Sequence, residues 1–192
     1  MSQFTDIIFK GKKFTIRRSA GNHIPVLRSV AGKIKIKKII EIGTGVFSLG
    51  TFLNKKYFPD LRNVYSYETS NFWMEYMNTK FKDSRWKLKL IGENANAIDI
   101  AKSVSPVDMV FVDGTHNHRL RALTHLKDMS DLFVLHDSEI DFFKDILEDG
   151  FKYKFICIPP KYRQTAILSN TIDVSKINWD IHWNDDFLTM GI

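Results

Sequence analysis

The segment EIGTGVFSLG, residues 41–50, follows an apolar run at 39–42 and leads into a stretch with helical spacing. Gly43 and Gly45 allow the backbone to approach a ligand closely, and the N-terminus of the following helix offers free N–H donors. A G-x-G turn can also be no more than a tight connection between a strand and a helix. The dinucleotide fingerprint G-x-G-x-x-G requires glycine at position 48, where this chain has Ser48, so the segment departs from the NAD-binding pattern.

Outward from this segment, strand and helix patterns alternate along the chain. Stretches with helical spacing separate the first five β-rich runs, which is typical of a parallel sheet with crossover helices. Two further strands are joined by IPPKYRQ, which is too short for a crossover helix, so we expect an antiparallel pair. Strands are predicted near 38–42, 63–67, 87–91, 108–112, 132–136, 152–158 and 165–169, and helices near 22–31, 48–57, 71–81, 95–103, 117–129 and 138–148. The predicted fold is α/β: a Rossmann-like three-layer sandwich with a seven-stranded, mostly parallel sheet and an antiparallel C-terminal hairpin.

The composition indicates one folded domain without a membrane span. The 192 residues are 44% hydrophobic and include 15 Phe, 6 Tyr and 4 Trp, which provide ample apolar surface for a core. No apolar run approaches the ~20 residues that cross a bilayer. The first ten residues lack the order of a signal peptide, so we expect a cytoplasmic protein with no membrane partner. The single cysteine, Cys157, excludes an intramolecular disulfide and is expected to pack within a strand.

The positive charge is concentrated near the N-terminus. Residues 1–40 carry seven Lys and three Arg against Asp6 alone, a balance of +9 in a chain whose net charge is +6. A Gly-Lys turn within IIFKGKKFTIR, residues 7–17, predicts a short hairpin or an extended arm. Such a basic segment could attract phosphates or anionic substrates, but lysine-rich surfaces also serve solubility alone, which is the favoured interpretation.

The next two segments place polar residues at strand ends. NVYSYETS, residues 63–70, carries Glu68, which follows Gly43 by 25 positions. A carboxylate at the tip of the second strand can accept hydrogen bonds from both hydroxyls of a ribose, although capping of the following helix is the alternative. IGENANAI, residues 91–98, brings Glu93 and Asn94 to the end of the third strand. Either of these two residues could instead cap the helix that follows.

The segment VDMVFVDGTHNHR, residues 107–119, is an apolar strand that ends in polar residues. Because ligands bind outside the carboxyl ends of strands in open α/β sheets, Asp113 and His116 are expected to face the site. The next strand ends in FVLHDSE, with Asp137 at its tip. The two carboxylates could hold Mg²⁺, or Asp137 could orient a substrate or cap a helix without metal.

Three histidines lie close to these strand ends. His116 is a candidate general base because imidazole titrates near neutrality. His136 lies in apolar sequence and is expected to be structural. His118 is expected on the outer helix that follows the fourth strand, facing either water or the packing surface of that helix.

Together these motifs resemble those of class I S-adenosylmethionine-dependent methyltransferases. The acid-x-G-x-G order that begins at Glu41 resembles motif I, and D-x-x-F-x-D-G-x-H resembles motif IV of the small-molecule O-methyltransferase branch. The resemblance covers residues 39–169. It implies a cofactor site in which Glu93 or Asn94 reaches the adenine. The site would be lined by Glu41, Gly43, Thr44, Gly45, Glu68, Glu93, Asn94 and Asp113.

The extent of the resemblance suggests a domain organisation, and its motifs imply a function. We expect residues 37–172 to form the S-adenosylmethionine-binding domain, and residues 1–36 and 173–192, which have no counterpart in the family, to form a basic N-terminal arm or lid and a C-terminal tail. The predicted reaction is O-methylation of a small hydroxyl compound such as a sugar. Its catalytic centre would contain Asp113, His116 and Asp137, with Mg²⁺ at the two aspartates as a candidate; catechol-type enzymes carry a third ligand, Asn, where this chain has Ser138.

Two other functions remain open. A nucleic-acid methyltransferase would use the basic arm and stacking aromatic residues, but the fourth strand lacks both the N-P-P-Y-like turn and the nucleophilic Cys common in such enzymes. A non-catalytic protein could retain the same scaffold. Because no large cap domain encloses an acceptor, the arm, the 159–164 loop or a second subunit of a homo-oligomer would have to cover the site.

Overall fold

The computed structural model describes residues 4–92, 104, 106–160 and 163–183 of the chain. Nine strands and five α-helices lie within these residues. The strands are β1 (Phe4–Phe9), β2 (Lys12–Arg17), β3 (Lys38–Ile42), β4 (Asn63–Glu68), β5 (Trp86–Leu90), β6 (Met109–Val112), β7 (Phe133–His136), β8 (Tyr153–Cys157) and β9 (Thr165–Ser169). The helices are α1 (Ile24–Lys33), α2 (Val46–Leu53), α3 (Asn71–Lys80), α4 (His116–His125) and α5 (Lys144–Asp149).

Strands β3 to β9 form one sheet in the order β5-β4-β3-β6-β7-β9-β8. The first five strands in this order are parallel, whereas β9 runs antiparallel to both of its neighbours, β7 and β8. The predicted α/β class, the seven-stranded sheet and the C-terminal hairpin are therefore confirmed. The direction in which strands are added reverses between β3 and β6, which is where open α/β sheets form a ligand crevice.

The core consists of two apolar layers, one on each face of the sheet. Neighbouring residues of a strand point to opposite faces, so Ile39 belongs to one layer and Ile40 to the other. Strands β6 and β7 are buried at every position, which explains the continuous apolar runs MVFV and FVL, the second of which is followed by His136. Only after these runs end do polar side chains appear, so the polar residues collect at the carboxyl ends of the strands.

The N-terminal hairpin formed by β1 and β2 packs against α3. The ring centroid of Phe72 lies 5.4 Å from that of Phe9 and 4.5 Å from that of Phe14. The two-residue turn has φ of 48° at Lys10 and 72° at Gly11, as hairpin turns of the primed types require. The hairpin predicted over 7–17 is therefore present and extends over 4–17.

Three predicted helices are clearly shorter in the structure, including the one predicted over 117–129, which ends at His125. The one predicted over 138–148 is a 3₁₀ turn at Asp141–Phe143 followed by α5. Asp137 has φ of 55°, so the chain leaves β7 in the left-handed region and cannot pass directly into an α-helix. The helix predicted over 48–57 ends at Leu53 because Asn54 is extended.

The helix predicted over 95–103 lies outside the described residues. None of the described helices has the length and apolar character that crossing a bilayer requires.

Cys157 is buried at the end of β8, and burial raises the pKa of its thiol to about 12. The thiol is therefore a packing group of the strand, as expected.

Candidate functional site

A cavity of about 280 Å³ opens at the carboxyl ends of β3, β4, β5 and β6. It lies at the point where the strand order reverses. Four of the segments identified in the sequence meet there, although they are separated by tens of residues along the chain. The lining residues are Ile42, Gly43, Thr44, Tyr67, Glu68, Thr69, Ile91, Asp113, Gly114, Thr115 and His118.

Gly43 is the residue that lets the ends of β3 and β6 come together. Its φ is 83°, a conformation that L side chains rarely adopt. A Cβ atom at this position would lie 2.5 Å from the Cα of Gly114 and 2.6 Å from the carbonyl oxygen of Asp113. The loop of residues 43–45 connects β3 to α2, and we call it the Gly43 loop. The Gly43 N–H donates to the carbonyl of Tyr67, 2.8 Å away, so this loop is also tied to β4. Both its conformation and its surroundings therefore require glycine.

Glu41 lies beneath this loop and is not among the described residues that line the cavity. It is fully buried; its Oε1 accepts a hydrogen bond from Ser48 Oγ at 2.6 Å, and its Oε2 accepts one from Ser66 Oγ. Trp86 Nε1 in turn donates to Ser66 Oγ at 2.9 Å. The carboxyl group therefore ties β3 to α2 and β4. Burial raises the pKa of Glu41 to about 7, against the opposing effect of its hydrogen bonds.

We expect the substitution Glu41→Gln to change how stability depends on pH. The pKa of about 7 in the folded protein exceeds the ordinary value of 4.5, so between these pH values the folded state binds more protons than the unfolded chain. The resulting stabilisation is complete below pH 4.5 and is lost as the pH rises through 7. A shift of this size corresponds to roughly 3 kcal/mol.

The measurement is urea unfolding of wild type and Glu41→Gln at mildly acidic and mildly alkaline pH. The stability of the wild type relative to the variant should fall as the pH rises, because glutamine remains neutral throughout. Parallel pH profiles for the two proteins would show that Glu41 has an ordinary pKa.

Glu68 stands at the end of β4 on the edge of the cavity. Its Oε1 accepts hydrogen bonds from the backbone N–H groups of Thr69 at 2.8 Å and Ser70 at 2.9 Å. These bonds fix the orientation of the carboxylate.

Across the cavity, the Thr44 carbonyl accepts a hydrogen bond from Trp73 Nε1 at 2.7 Å, which anchors the Gly43 loop to α3. Glu93 and Asn94, which the resemblance assigns to the adenine, lie outside the described residues.

Next to the cavity lies a group of charged side chains that we call the Arg119 cluster: Asp113, Arg119, His136 and Asp137. The Arg119 side chain is only 7% exposed. Its Nη2 donates to Asp113 Oδ1 at 3.0 Å and lies 3.4 Å from Asp137 Oδ2. Its Nε donates to the Gly114 carbonyl at 2.6 Å, and its Nη1 donates to the His136 carbonyl at 2.7 Å. One guanidinium therefore holds both carboxylates and the ends of both strands.

His136 completes the cluster, with an oxygen atom within hydrogen-bond distance of each ring nitrogen. Its Nδ1 lies 3.0 Å from Asp113 Oδ1 and its Nε2 lies 2.5 Å from Asn22 Oδ1. The Nδ2 of Asn22 donates to the Arg163 carbonyl at 2.6 Å, which fixes the amide so that its Oδ1 faces the imidazole. Both ring nitrogens therefore meet acceptors, which the imidazolium form satisfies. Burial lowers the pKa of His136, but the carboxylates of Asp113 and Asp137 outweigh this effect and leave it raised.

His23 packs against the Arg119 cluster from the segment that precedes α1. It is 2% exposed, and its ring centroid lies 4.8 Å from that of His136. Neither ring nitrogen has a hydrogen-bond partner among the described residues. Burial, together with the neighbouring His136 ring, lowers the pKa of His23 to about 3, so this imidazole is neutral. The N-terminal segment thus contributes directly to the site.

The two histidines at the start of α4 occupy different environments. His116 is exposed, its ring centroid lies 6.1 Å from those of Phe142 and Phe143, and it is not among the described residues that line the cavity. His118 is buried against the cavity, with its Nδ1 2.6 Å from Thr115 Oγ1. Of the two expected orientations, water or the packing surface of the helix, His118 therefore adopts the second, because the helical repeat of 3.6 residues turns it toward the sheet together with Arg119 and Ala122.

The aspartates are arranged to fit a guanidinium rather than Mg²⁺. Asp113 Oδ1 and Asp137 Oδ2 both face Arg119, so an ion between them would contact a fixed positive charge. Mg²⁺ also needs a near-octahedral set of oxygens, most of them from water. Ser138, at the position of the third ligand, is 4% exposed, which leaves its hydroxyl turned away from solvent. The guanidinium of Arg119 already supplies the positive charge that the two neighbouring carboxylates require.

Comparison with known proteins establishes the fold. No family model matches the sequence, and no curated protein matches it either. A candidate caffeoyl-CoA O-methyltransferase from Staphylococcus aureus has a similar structure, with a TM-score of 0.58 and 14% identity over 80% of this chain and 84% of that one. Spermidine synthase from Thermotoga maritima gives a TM-score of 0.57 and 12% identity over 96% of this chain and 81% of that one.

A third similar structure is the MycE methyltransferase from the mycinamycin biosynthetic pathway, solved with Mg and S-adenosylhomocysteine. Its TM-score is 0.53 and its identity 16%, over 79% of this chain and 49% of that one. The seven-stranded sheet described above is therefore a methyltransferase fold, which spermidine synthase shares.

Proposed function

We propose that this protein is an S-adenosylmethionine-dependent methyltransferase that acts on a hydroxyl group of a small molecule. The observation that carries the proposal is the cavity in which Gly43, Glu68 and Asp113 converge from three adjacent strands. Its position at the reversal of the strand order is where this class of sheet binds ligands. The similarity in fold to two methyltransferases supports the same conclusion.

The lining of the cavity suits the parts of this cofactor. The Glu68 carboxylate, oriented by two backbone N–H groups, offers acceptors to ribose hydroxyls. Tyr67 and Ile91 provide the apolar surface on which a purine ring would lie. Gly43 and Thr44 line another part of the cavity, where the methionine part of the cofactor would bind. Glu93 and Asn94 remain predicted adenine contacts.

Asp113 connects the cavity to the Arg119 cluster, since its carboxylate belongs to both. When bound, the cofactor supplies an electrophilic methyl group on its sulfonium sulfur. The protein must bring the acceptor oxygen into line with that methyl group, and Arg119 and His136 hold Asp113 in one position for this purpose. Asp113 would orient the acceptor hydroxyl and take its proton. Asp137, held by the same guanidinium, would help to place the acceptor.

We expect S-adenosylhomocysteine to bind with micromolar affinity and Glu68→Ala to weaken that binding at least about 10-fold, because charge-assisted hydrogen bonds to the ribose are lost. Isothermal titration calorimetry on the full chain measures both affinities. Glu75→Ala is the matched control, since Glu75 is an exposed acid on α3 that pairs with Lys10 at 2.7 Å, away from the cavity. Heat with NAD but none with S-adenosylhomocysteine would overturn the proposed function.

The structure weakens the case for a nucleic-acid substrate. Several lysines of the N-terminal arm already pair with acids of this chain: Lys10 with Glu75, Lys13 with Asp6 and Lys33 with Asp180, at 2.6–2.8 Å. These pairs reduce the charge available to phosphates. RNA binding with a steep salt dependence would restore that alternative, and filter binding over a range of salt concentrations would detect it.

A further inference from the structure

We propose that Arg119 is a built-in replacement for a divalent metal ion, and that removing its guanidinium would uncover a metal site. The inference rests on the geometry of the Arg119 cluster and holds whether or not the proposed function is correct. It identifies Arg119 as a positioning residue that sequence reasoning did not find.

The guanidinium gathers the kind of ligands that a hard cation gathers. Four oxygen atoms from the ends of β6 and β7 surround it: the carboxylate oxygens of Asp113 and Asp137, and the carbonyl oxygens of Gly114 and His136, at 2.6–3.4 Å. Carboxylates and backbone carbonyls are also the ligands of protein-bound divalent cations. Arginine binds them through a planar set of N–H donors that stays charged at any ordinary pH.

The two carboxylates already have a cation beside them without a metal. Both face the Arg119 guanidinium, and the ring nitrogens of His136 lie against oxygen atoms of Asp113 and Asn22. An added divalent ion would lie against the fixed positive charge of the guanidinium. Electrostatics therefore disfavour metal binding as long as Arg119 is present.

Loss of the guanidinium would leave a set of metal ligands. The nearest ligand atoms of His23, Asp113 and His136 lie within 4.8 Å of one another, and Asp137 is adjacent. His23 is buried and its ring nitrogens have no hydrogen-bond partner among the described residues, so they are available to a metal. Two imidazoles beside carboxylates favour a transition metal such as Co²⁺ over Mg²⁺.

The test is a titration of wild type, Arg119→Met and Arg119→Lys with CoCl₂, followed by visible absorption and calorimetry. We expect wild type to show no saturable site that depends on Asp113, and Arg119→Met to bind Co²⁺ at least about 100-fold more tightly. Arg119→Lys keeps the positive charge and should behave like wild type. Adding Asp113→Asn to Arg119→Met should abolish the gain, which separates this site from histidines on the surface.

Thermal unfolding followed by circular dichroism shows which variants fold. If Arg119→Met does not fold, Arg119→Gln replaces it, since glutamine is uncharged and can still donate to the carbonyls. Saturable binding of CoCl₂ or MgCl₂ by wild type, abolished by Asp113→Asn, would overturn the proposal. So would a folded, uncharged variant that gains no affinity. Neither titration contains a cofactor or an acceptor, so failure here is distinct from failure of the proposed function.

Discussion

Asp113→Asn is expected to lower the rate of methyl transfer by about 100- to 10,000-fold, the range for loss of a general base, while S-adenosylhomocysteine affinity changes little. Asparagine has nearly the same shape as aspartate but cannot take a proton. It also leaves Arg119 and His136 without the carboxylate that both contact. The measurement is single-turnover methyl transfer from S-adenosylmethionine to a panel of hydroxyl compounds, with cofactor affinity determined by calorimetry.

His116→Ala is the matched control for this prediction. His116 belongs to the same D-G-x-H motif, but it is exposed and points toward Phe142 and Phe143. Turnover should therefore remain close to that of wild type, and excess chelator should leave it unchanged as well. Full activity of Asp113→Asn would exclude Asp113 as the base, and loss of activity in His116→Ala alone would transfer that role to His116.

Gly43→Ala should have the second large effect, lowering the free energy of unfolding by about 2–4 kcal/mol and abolishing binding of S-adenosylhomocysteine. The cost has two sources. Alanine is strained at a φ of 83°, and its Cβ would lie 2.5 Å from the Cα of Gly114, a backbone atom that no side-chain rotation can move away. The Gly43 loop and the end of β6 would have to separate, which would distort the cavity between them. Urea unfolding and calorimetry measure the two consequences.

Gly32→Ala provides the control for the Gly43 variant. Gly32 lies within α1, and a Cβ atom there would meet nothing within 4 Å. Alanine should therefore leave stability unchanged or raise it by about 0.4–1 kcal/mol, because the unfolded chain loses conformational freedom. Equal destabilisation by both substitutions would mean that the loss at Gly43 does not come from its special backbone.

The amino-acid sequence alone predicts the sheet and most of its connections. Strands buried on both faces must be continuously apolar, so MVFV and FVL could be recognised as parts of central strands without any tertiary information. The short link between the last two strands likewise left an antiparallel pair as the only connection. The turn at Gly43 could also be predicted from the sequence, because its positive φ is a backbone conformation that favours glycine.

Contacts between segments that are distant in the sequence determine which side chains lie together at the site. His136 meets Asn22 from a position 114 residues away, and Asn22 in turn is held by the carbonyl of Arg163. No local pattern encodes contacts over such separations, since they depend on how the N-terminal segment returns to the strand ends. The orientation of α4 against the sheet determines that His118, and not His116, lines the cavity. The same orientation places Arg119 between the carboxylates of Asp113 and Asp137. Turning that helix about its axis by about 100°, the angle between consecutive residues, would change which residues face the cavity. Packing of the whole core sets this orientation.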